Sequence, residues 1–160
     1  MAELGELKFS TQLFLRAYPW RRIDPIPFAR LRRPLEACRV ALVSSAGMVL
    51  PGQEPFDESV RGGDWSWREI PSETAAETLR DTHRSESFDH SGMRADPNLA
   101  FPLDRLRELA AEGAIGGVAP RHASIMGSLT APGRLIARTA PEIADAFAGD
   151  QVDVALLVPV

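Results

Sequence analysis

Short apolar runs along the chain predict several β-strands. Residues 39–43 (RVALV) form a β-branched and aliphatic run that is too short for a helix and is typical of a central parallel strand. Residues 65–70 alternate large apolar with polar side chains and indicate a second strand. Residues 115–126 predict a strand interrupted by glycines, and residues 152–160 (VDVALLVPV) predict another buried strand. We therefore expect a sheet assembled from distant segments of the sequence.

Helix signals separate these predicted strands. Pro102 at a first helical position and Gly113 as a stop delimit the clearest helix in the chain. Capping boxes predict one helix over residues 139–149 and a shorter helical piece over residues 74–82. Residues 83–98 have no apolar periodicity and are dense in polar, turn-forming side chains, so we expect a loop there.

The alternation of strands and helices predicts βαβ units and an α/β fold. We expect an open, mainly parallel, doubly wound sheet of the Rossmann or flavodoxin type over residues 39–160, truncated after a central strand. Residues 1–38, which contain several prolines and arginines, are expected to form an N-terminal arm. Such sheets bind ligands beyond the carboxyl ends of their strands. This rule selects the segments after the strands: Ser44, Ser45 and Gly47, residues 126–128, and whatever follows Val160.

Composition narrows the class of protein. The 160 residues, 44% hydrophobic and 25% charged, fit one globular domain. No apolar run approaches the length of a bilayer crossing, and the first residues lack a secretory signal pattern. A single cysteine, Cys38, agrees with a reducing compartment. We therefore expect a cytoplasmic protein with no membrane contact.

Basic residues concentrate in the predicted arm and the start of the first strand. Arginines between residues 21 and 39 alternate with apolar side chains. A basic cluster of this kind could bind a phosphate backbone, but the alternation favours an amphipathic arm that docks on its own acidic chain or on a partner subunit. The net charge of −4 agrees with the second interpretation. We expect a homo-oligomer and no nucleic-acid partner.

The sequence carries none of the common cofactor or metal motifs. It has no glycine-rich dinucleotide loop, no phosphate loop and no paired-cysteine zinc pattern. His83, His90 and His122 could join Asp89 or Asp96 as ligands, but their spacing matches no known metal site, so we expect no metal. The serines near predicted strand ends are not surrounded by a nucleophile elbow, which argues against a serine hydrolase.

Several strings along the chain are more specific. They are DHSG at 89–92 leading to DPN at 96–98, FPLDRL at 101–106, APRHASIMG at 119–127, TAPE at 139–142 and LLVPV at 156–160. Together they resemble the glycine, sarcosine, betaine and D-proline reductase selenoprotein B family, from about residue 39 to Val160. The resemblance implies an oxidoreductase subunit that reductively cleaves a C–N bond of a small amino acid or amine, together with other reductase subunits.

In that family, the strand similar to residues 156–160 is followed at once by selenocysteine or cysteine. The resemblance therefore implies that these 160 residues are the substrate-side portion of such a subunit. It also implies that this portion is inactive by itself and that it holds no cofactor. The redox selenocysteine or cysteine is expected just after Val160 in the full-length protein. Its selenolate or thiolate at a helix N-terminus is ionised and nucleophilic at neutral pH. A recoded stop codon, a native short paralogue and a shortened chain are the alternatives for the end at Val160.

Cleavage of a C–N bond requires a proton donor for the leaving amine and hydrogen-bond donors for the substrate carboxylate. We expect His122 or His90, the latter beside Asp89, to act as catalytic proton donor. The expected substrate-binding residues are Ser44, Ser45, Gly47, Arg121 and Ser124. Two structural alternatives stay open: His90 with Asp89 as a surface pair, and Arg121 as a partner of the helix below it.

Two other classes of function also stay open, and so does the question whether the chain is an enzyme. In the first, the chain is a non-catalytic partner-binding or scaffold subunit whose arginine-rich arm and last strand dock another chain. In the second, it is a small-molecule binding module with no redox role.

Overall fold

The structure is a computed structural model that describes residues 8–19, 22–27, 29–85 and 90–160. The chain divides into two units, Met1–Arg30 and Leu31–Val160. In the first unit, helix α1 (Phe9–Ala17) has no buried residue. The division that the sequence predicts at residue 38 stays a prediction. No helix within the described ranges is long and apolar enough to cross a membrane.

The second unit is built on a five-stranded, mostly parallel sheet. Its strands are β1 (Arg39–Ser44), β3 (Trp67–Pro71), β5 (Gly117–Val118), β6 (Arg121–Ile125) and β7 (Val154–Val158). Strand β1 pairs in parallel with β7 along one side and with β5 and β6 along the other. Strand β3 is antiparallel to β6. Strands β5 and β6 are separate pieces on one side of β1, so the predicted interruption of this strand is confirmed. A second, two-stranded sheet joins β2 (Met48–Val49) to β4 (Arg80–Asp81).

Helices cover both faces of the large sheet because alternate residues of β1 point in opposite directions. On one face, helix α3 (Leu103–Ala111) packs in a cluster with Leu42. On the other face, helix α4 (Ala140–Gly149) packs in a cluster with Ala41. A π-helical turn over Leu135–Thr139 precedes α4, so helical structure begins before the capping box. The mixed α/β class is confirmed, whereas the doubly wound Rossmann or flavodoxin type stays a prediction.

Strand β7 is more exposed than the sequence predicts. Leu156 is 42% exposed and Leu157 is 69% exposed. The reason is its position, because in the described part of the chain β7 pairs only with β1 and lies at an edge of the sheet. The prediction of a buried, central last strand is therefore wrong for this arrangement of strands.

The predicted helical piece over residues 74–82 is also wrong. The backbone forms a 3-10 turn at Ala76–Thr78 and then strand β4. The side chain of Arg107, on α3, donates a hydrogen bond to the carbonyl oxygen of Thr74 at 2.5 Å. A helix beginning at Thr74 would use that oxygen for its own first turn, so the contact with α3 competes with helix formation.

The predicted loop over residues 83–98 contains a short helix, α2 (His90–Ala95), of which only Met93 is buried. A 3-10 turn at Pro97–Leu99 follows, and the Asp96 side chain accepts a hydrogen bond from the Asn98 backbone N–H. Because one buried side chain gives no periodic pattern, the sequence provides no signal for α2.

Candidate active site at the carboxyl edge of the sheet

Three parallel strands end together at one edge of the large sheet, which we call the carboxyl edge. Ser44 of β1 pairs with Ser124 of β6 and with Val158 of β7. The segments that follow these residues therefore meet along the same edge. Most of the residues that the sequence selects as substrate-binding, namely Ser44, Ser45, Gly47 and Ser124, lie on or beside it.

Ser45 joins the end of β7 to the segment that follows β6. Its hydroxyl accepts a hydrogen bond from the Val160 N–H at 2.9 Å and lies 3.3 Å from the Val160 carbonyl oxygen. The Gly127 N–H donates to the Ser45 carbonyl oxygen at 2.8 Å. A Cβ atom at position 127 would lie 2.8 Å from that oxygen, so only glycine permits this approach without a shift. We call Ser45, Gly127 and Val160 the Ser45 corner.

Ser44 is fully buried and is committed to structure. Its hydroxyl donates to the Ala100 carbonyl oxygen at 2.6 Å and accepts from the Ala46 N–H at 3.2 Å. These bonds tie the end of β1 to the segment before α3. The geometry therefore gives Ser44 the role of supporting the edge, and its predicted contact with substrate stays a prediction.

Gly47 connects β1 to the small sheet. Its φ angle is +65°, a left-handed conformation that favours glycine, and its N–H donates to the Ile125 carbonyl oxygen at 3.0 Å. Its own carbonyl oxygen accepts from the Thr82 hydroxyl at 2.7 Å. A Cβ atom there would lie 3.3 Å from the His83 backbone. Gly47 thus brings the residues after β4 to the carboxyl edge.

His122 is fully buried in β6 beneath α3. Its Nδ1 accepts a hydrogen bond from the Leu42 N–H at 3.0 Å, and the edge of the Phe101 ring approaches it, with centroids 6.2 Å apart. This bond places the proton of the neutral ring on Nε2, which has no hydrogen-bond partner in the described part of the chain. Burial, together with the positive charge of Arg107, lowers the pKa of His122 to about 4. The imidazole is therefore neutral at pH 7 and is poorly suited to act as a charged acid.

Ser124 lies two residues after His122 and points to the same face of β6. It is fully buried, and among the described residues its hydroxyl has no hydrogen-bond partner. A buried hydroxyl without a partner costs free energy, so such groups are often associated with bound water or ligand. Ser124 and His122 thus place two unsatisfied polar atoms under the carboxyl half of the sheet.

Arg121 lies at the other end of β6, which we call the amino edge. Its guanidinium bonds to both carboxylate oxygens of Asp150, at 2.5 and 3.2 Å, and to Glu69 at 2.9 Å. The hydrogen bonds to Asp150 and then to Glu69 raise the pKa of Arg121. Asp150 is the C-terminal capping position of α4. The structural alternative for Arg121, binding the helix beside it, therefore fits its position, and its predicted contact with substrate does not.

His90 begins helix α2 and bonds through Nδ1 to the carboxylate of Asp81 in β4. Its Nε2 lies 2.6 Å from the Ser85 carbonyl oxygen. The hydrogen bond to Asp81 and then that to Ser85 raise the pKa of His90, which favours the imidazolium. Asp89, the expected partner of His90, lies outside the described residues. Asp81 is adjacent to Thr82, whose hydroxyl binds Gly47, so His90 is connected to the carboxyl edge through β4.

Sequence reasoning missed two residues that contribute to this region. Asp81 holds His90, but the sequence places it in a helix that does not form. Arg84 spans from the segment after β4 to the segment after β6, where its Nη2 donates to the Ser128 carbonyl oxygen at 2.9 Å. No local motif marks either residue, because both contacts join segments that are distant in the sequence. Among the described residues, no group of three metal-ligating side chains converges.

The geometry of this edge indicates an α/β domain that binds a small ligand. Polar side chains and close backbone contacts gather beyond the carboxyl ends of parallel strands, which is where α/β domains of this kind bind small ligands. The chain matches the glycine/sarcosine/betaine reductase selenoprotein B family over residues 4–159, and it belongs to that family.

Individual relatives are subunits of amino-acid reductases. The chain is 32% identical over 136 residues to the D-proline reductase subunit gamma of Acetoanaerobium sticklandii, an alignment that covers 84% of this chain and 54% of that protein. It is 28% identical to the sarcosine reductase complex component B subunit beta of Peptoclostridium acidaminophilum, covering 79% of this chain and 29% of that protein. It is also 28% identical to the glycine reductase complex component B subunit gamma of Symbiobacterium thermophilum, covering 94% and 35%.

The chain thus spans about half the length of the first of these relatives and about a third of the other two. No solved structure matches it.

Proposed function

We propose that the chain is the substrate-side portion of a selenoprotein B type reductase subunit that reductively cleaves a C–N bond of a small amino acid or amine. Membership of the family supports the reaction class. The relatives' names, which mention D-proline, sarcosine and glycine, support a small amino acid or amine as substrate. Those names also describe subunits and complex components, which supports other reductase subunits as partners.

The Ser45 corner is the observation that carries this proposal. The end of β7 is held beside Ser45 by two hydrogen bonds. The Ser45 N–H donates to the Val158 carbonyl oxygen at 3.1 Å, and the Val160 N–H donates to the Ser45 side-chain hydroxyl at 2.9 Å. We expect the redox selenocysteine or cysteine to follow Val160 in the complete protein, where it supplies the nucleophile. Ser45 then orients the chain that leads to the nucleophile, and Gly127 keeps the adjacent space free of a side chain. Without that residue, the 160-residue chain should be inactive.

The proton for the leaving amine is best assigned to His90. Its pKa is raised by Asp81, so it carries a proton at neutral pH more readily than a free histidine. The proton on Nε2 is directed at the Ser85 carbonyl oxygen and has to be redirected to the amine. His122, neutral at pH 7, and Ser124 suit a different role, as uncharged hydrogen-bond donors beneath the site. The catalytic role expected of Asp89 stays a prediction.

The direct test is turnover by the complete protein. The gene is sequenced beyond codon 160, and the encoded protein is produced with its next residue as cysteine. Reductive C–N cleavage is measured as release of ammonia or amine from glycine, sarcosine and betaine, and as ring opening of D-proline, which keeps its nitrogen. Partner subunits and a dithiol are supplied as reductant. We expect cleavage by the complete protein and none by the 160-residue chain. Absence of an open frame beyond codon 160, or no turnover of any of these compounds, would contradict the proposal.

A variant pair tests the role of His90 in the same assay. His90→Gln should lower turnover about a hundredfold, because a general acid contributes that much to the rate. The control is Thr78→Ala, which removes a hydroxyl that bonds only locally, to the Ala75 carbonyl oxygen at 2.8 Å. Equal turnover by both variants would remove His90 from the catalytic assignment and leave the reaction class untouched.

The scaffold alternative keeps one supporting observation. Leu156 and Leu157 of β7 are exposed, and exposed apolar side chains on an edge strand favour association with another chain. We therefore infer that the chain forms a homo-oligomer in the cytoplasm through this strand. Sedimentation of the wild-type chain and of Leu157→Lys tests this: the variant should be monomeric at concentrations where the wild type is not.

A further inference from the structure

A cavity of about 560 Å³ lies beside the carboxyl edge, outside the Ser45 corner. Strand β3 runs antiparallel to β6, so the residues before β3 meet the residues after β6 at this edge. The walls of the cavity include Val60, Trp65 and Ala131 on the apolar side and Arg61 and Arg134 on the basic side. This volume is within the range of small-molecule sites in proteins.

The cavity is held by hydrogen bonds between its walls. The Gly62 carbonyl oxygen accepts from the N–H groups of Thr130 and Ala131, at 3.0 and 3.1 Å. The Thr139 hydroxyl donates to the Trp65 carbonyl oxygen, which fixes the start of β3 to the helical segment before α4. The first tie joins backbone groups and the second uses a buried hydroxyl, so the shape of the cavity does not depend on exposed side chains alone.

Two arginines flank the Trp65 ring, a third lines the cavity, and none of them forms an ion pair with a carboxylate of the described residues. The guanidinium carbons of Arg134 and Arg138 lie 5.8 and 5.9 Å from the centre of the indole ring. In the described part of the chain, neither they nor Arg61 make an ion pair or a hydrogen bond with a protein group. A cation–π contact at this distance positions a guanidinium but leaves its N–H groups available.

Two carboxylates of the segment before β3 are bonded to other groups. Asp57 accepts from the N–H and hydroxyl of Ser59 at 2.8 and 2.6 Å. Asp64 accepts from the Ser66 hydroxyl at 2.5 Å and from the Asp57 N–H at 2.8 Å, and it faces Arg68 at 3.8 Å. The lining of the cavity thus contains two arginines and no carboxylate, in a chain whose net charge is −4.

We propose that this cavity is a binding site for a small organic anion whose carboxylate or phosphate lies between Arg61 and Arg134, the arginines that line the cavity, with Arg138 adding positive charge from the Trp65 ring. The apolar body of the ligand then contacts Trp65, Val60 and Ala131. Guanidinium groups bind either anion through paired N–H groups, and clustered positive charge without a counter-charge favours an anionic ligand. The site goes beyond the proposed reductase function and does not depend on it.

Calorimetric titration of the full chain tests the proposal. The probes are benzoate, phenyl phosphate and the neutral benzamide, which share a ring of similar size. We expect both anions to bind at least about tenfold more tightly than benzamide, because a charged hydrogen bond contributes about that factor. The tighter of the two anions identifies carboxylate or phosphate as the natural group. Added salt should weaken the binding of the anions only.

Variants locate the binding. The double variant Arg134→Gln with Arg138→Gln should lower the affinity for the tighter anion about tenfold or more. Arg105→Gln on the exposed face of α3, where Arg105 pairs with Glu108, is the matched control and should leave the affinity unchanged. The three positions are exposed, so far-ultraviolet circular dichroism should match that of the wild type. Equal binding of benzamide and benzoate, no saturable binding of either anion, or an unchanged affinity in the double variant would overturn the proposal.

Discussion

The polar groups at the two edges of the large sheet differ in whether they have partners within the protein. At the amino edge, two arginines meet carboxylates. Arg121 binds Asp150 and Glu69, and Arg33 lies 3.3 Å from Asp153. The Arg121–Asp150 pair joins the start of β6 to the C-terminal end of α4. The Arg33–Asp153 pair joins the segment before β1 to the turn before β7. The charge at this edge is used to join elements.

At the carboxyl edge, polar groups remain unsatisfied. The Ser124 hydroxyl is buried without a hydrogen-bond partner among the described residues, and Arg61 and Arg134 face a cavity instead of a carboxylate. The same residue type, arginine, thus joins elements through ion pairs at the amino edge, whereas Arg61 and Arg134 at the carboxyl edge are available to a ligand. Its partners in three dimensions, more than its identity, decide which role an arginine takes.

His122 combines the two situations, because its Nδ1 accepts a hydrogen bond and its Nε2 has no partner among the described residues. Its titration has the largest effect on stability that we expect. Its pKa is ordinarily 6.5 and is lowered to about 4 in the folded chain, chiefly by burial. The unfolded chain therefore binds the proton more readily. The contribution of His122 to stability is complete above pH 6.5 and is lost as the pH falls through 4. From pH 7 to pH 4 we expect the free energy of unfolding to fall by roughly 3 kcal/mol more in the wild type than in His122→Asn.

Urea unfolding of both proteins at the two pH values measures this difference. Asparagine at position 122 retains an acceptor for the Leu42 N–H and does not titrate. The variant keeps His90, whose raised pKa acts in the opposite direction, since that contribution is present below pH 6.5 and is lost as the pH rises through the folded pKa. If the variant does not fold, the imidazole C–H resonances of wild-type His122 supply the answer: an inflection near 6.5 would contradict the prediction.

A matched pair of glycines compares the two edges directly. A Cβ atom at Gly127, on the carboxyl edge, would lie 2.8 Å from the Ser45 carbonyl oxygen, whereas one at Gly117, on the amino edge, would meet nothing within 4 Å. We expect Gly127→Ala to lower the free energy of unfolding by about 2 kcal/mol through overpacking. Gly117→Ala should change it by less than about 1 kcal/mol, towards higher stability.

Urea unfolding of the two alanine variants at pH 7 gives both values. Equal effects would mean that the Ser45 corner adapts to a side chain, and the carboxyl edge would lose its close backbone contact as a distinguishing feature.

The parts of the fold that could be predicted are those that local apolar spacing encodes. The structure has strands at residues 39–43 and 121–125 and a helix that ends before Gly113. The apolar pattern of each of these elements depends on that element alone. Helix α2 could not be predicted, because only Met93 is buried and His90 is held by Asp81 from another strand. The sequence pattern contains no trace of a contact of that kind.

The site could be predicted only to the level of an edge. The rule for parallel sheets correctly brings Ser45 and Gly127 together, since both follow strands that end in register. Arg121 is expected to donate hydrogen bonds to the substrate carboxylate, but β6 begins at this residue, so Arg121 lies at the opposite edge. Arg134 has no signal at all, because its significance depends on a cavity and on the position of Trp65.

The smallest expected effect is a difference in the free energy of unfolding. It compares the replacement of an arginine that makes ion pairs with the replacement of one that makes none. Arg121→Met keeps an apolar side chain of similar length but leaves Asp150 and Glu69 without their shared partner. The Arg121 side chain is 37% exposed, so solvent screens much of the interaction, and we expect a small but measurable loss in the free energy of unfolding. Arg134→Met, which breaks no ion pair, should change it by less than about 0.5 kcal/mol. Urea unfolding in low and high salt should show the difference between the variants shrinking as salt screens the amino edge. A larger loss in Arg134→Met would assign that arginine to the fold and would remove the distinction between the edges.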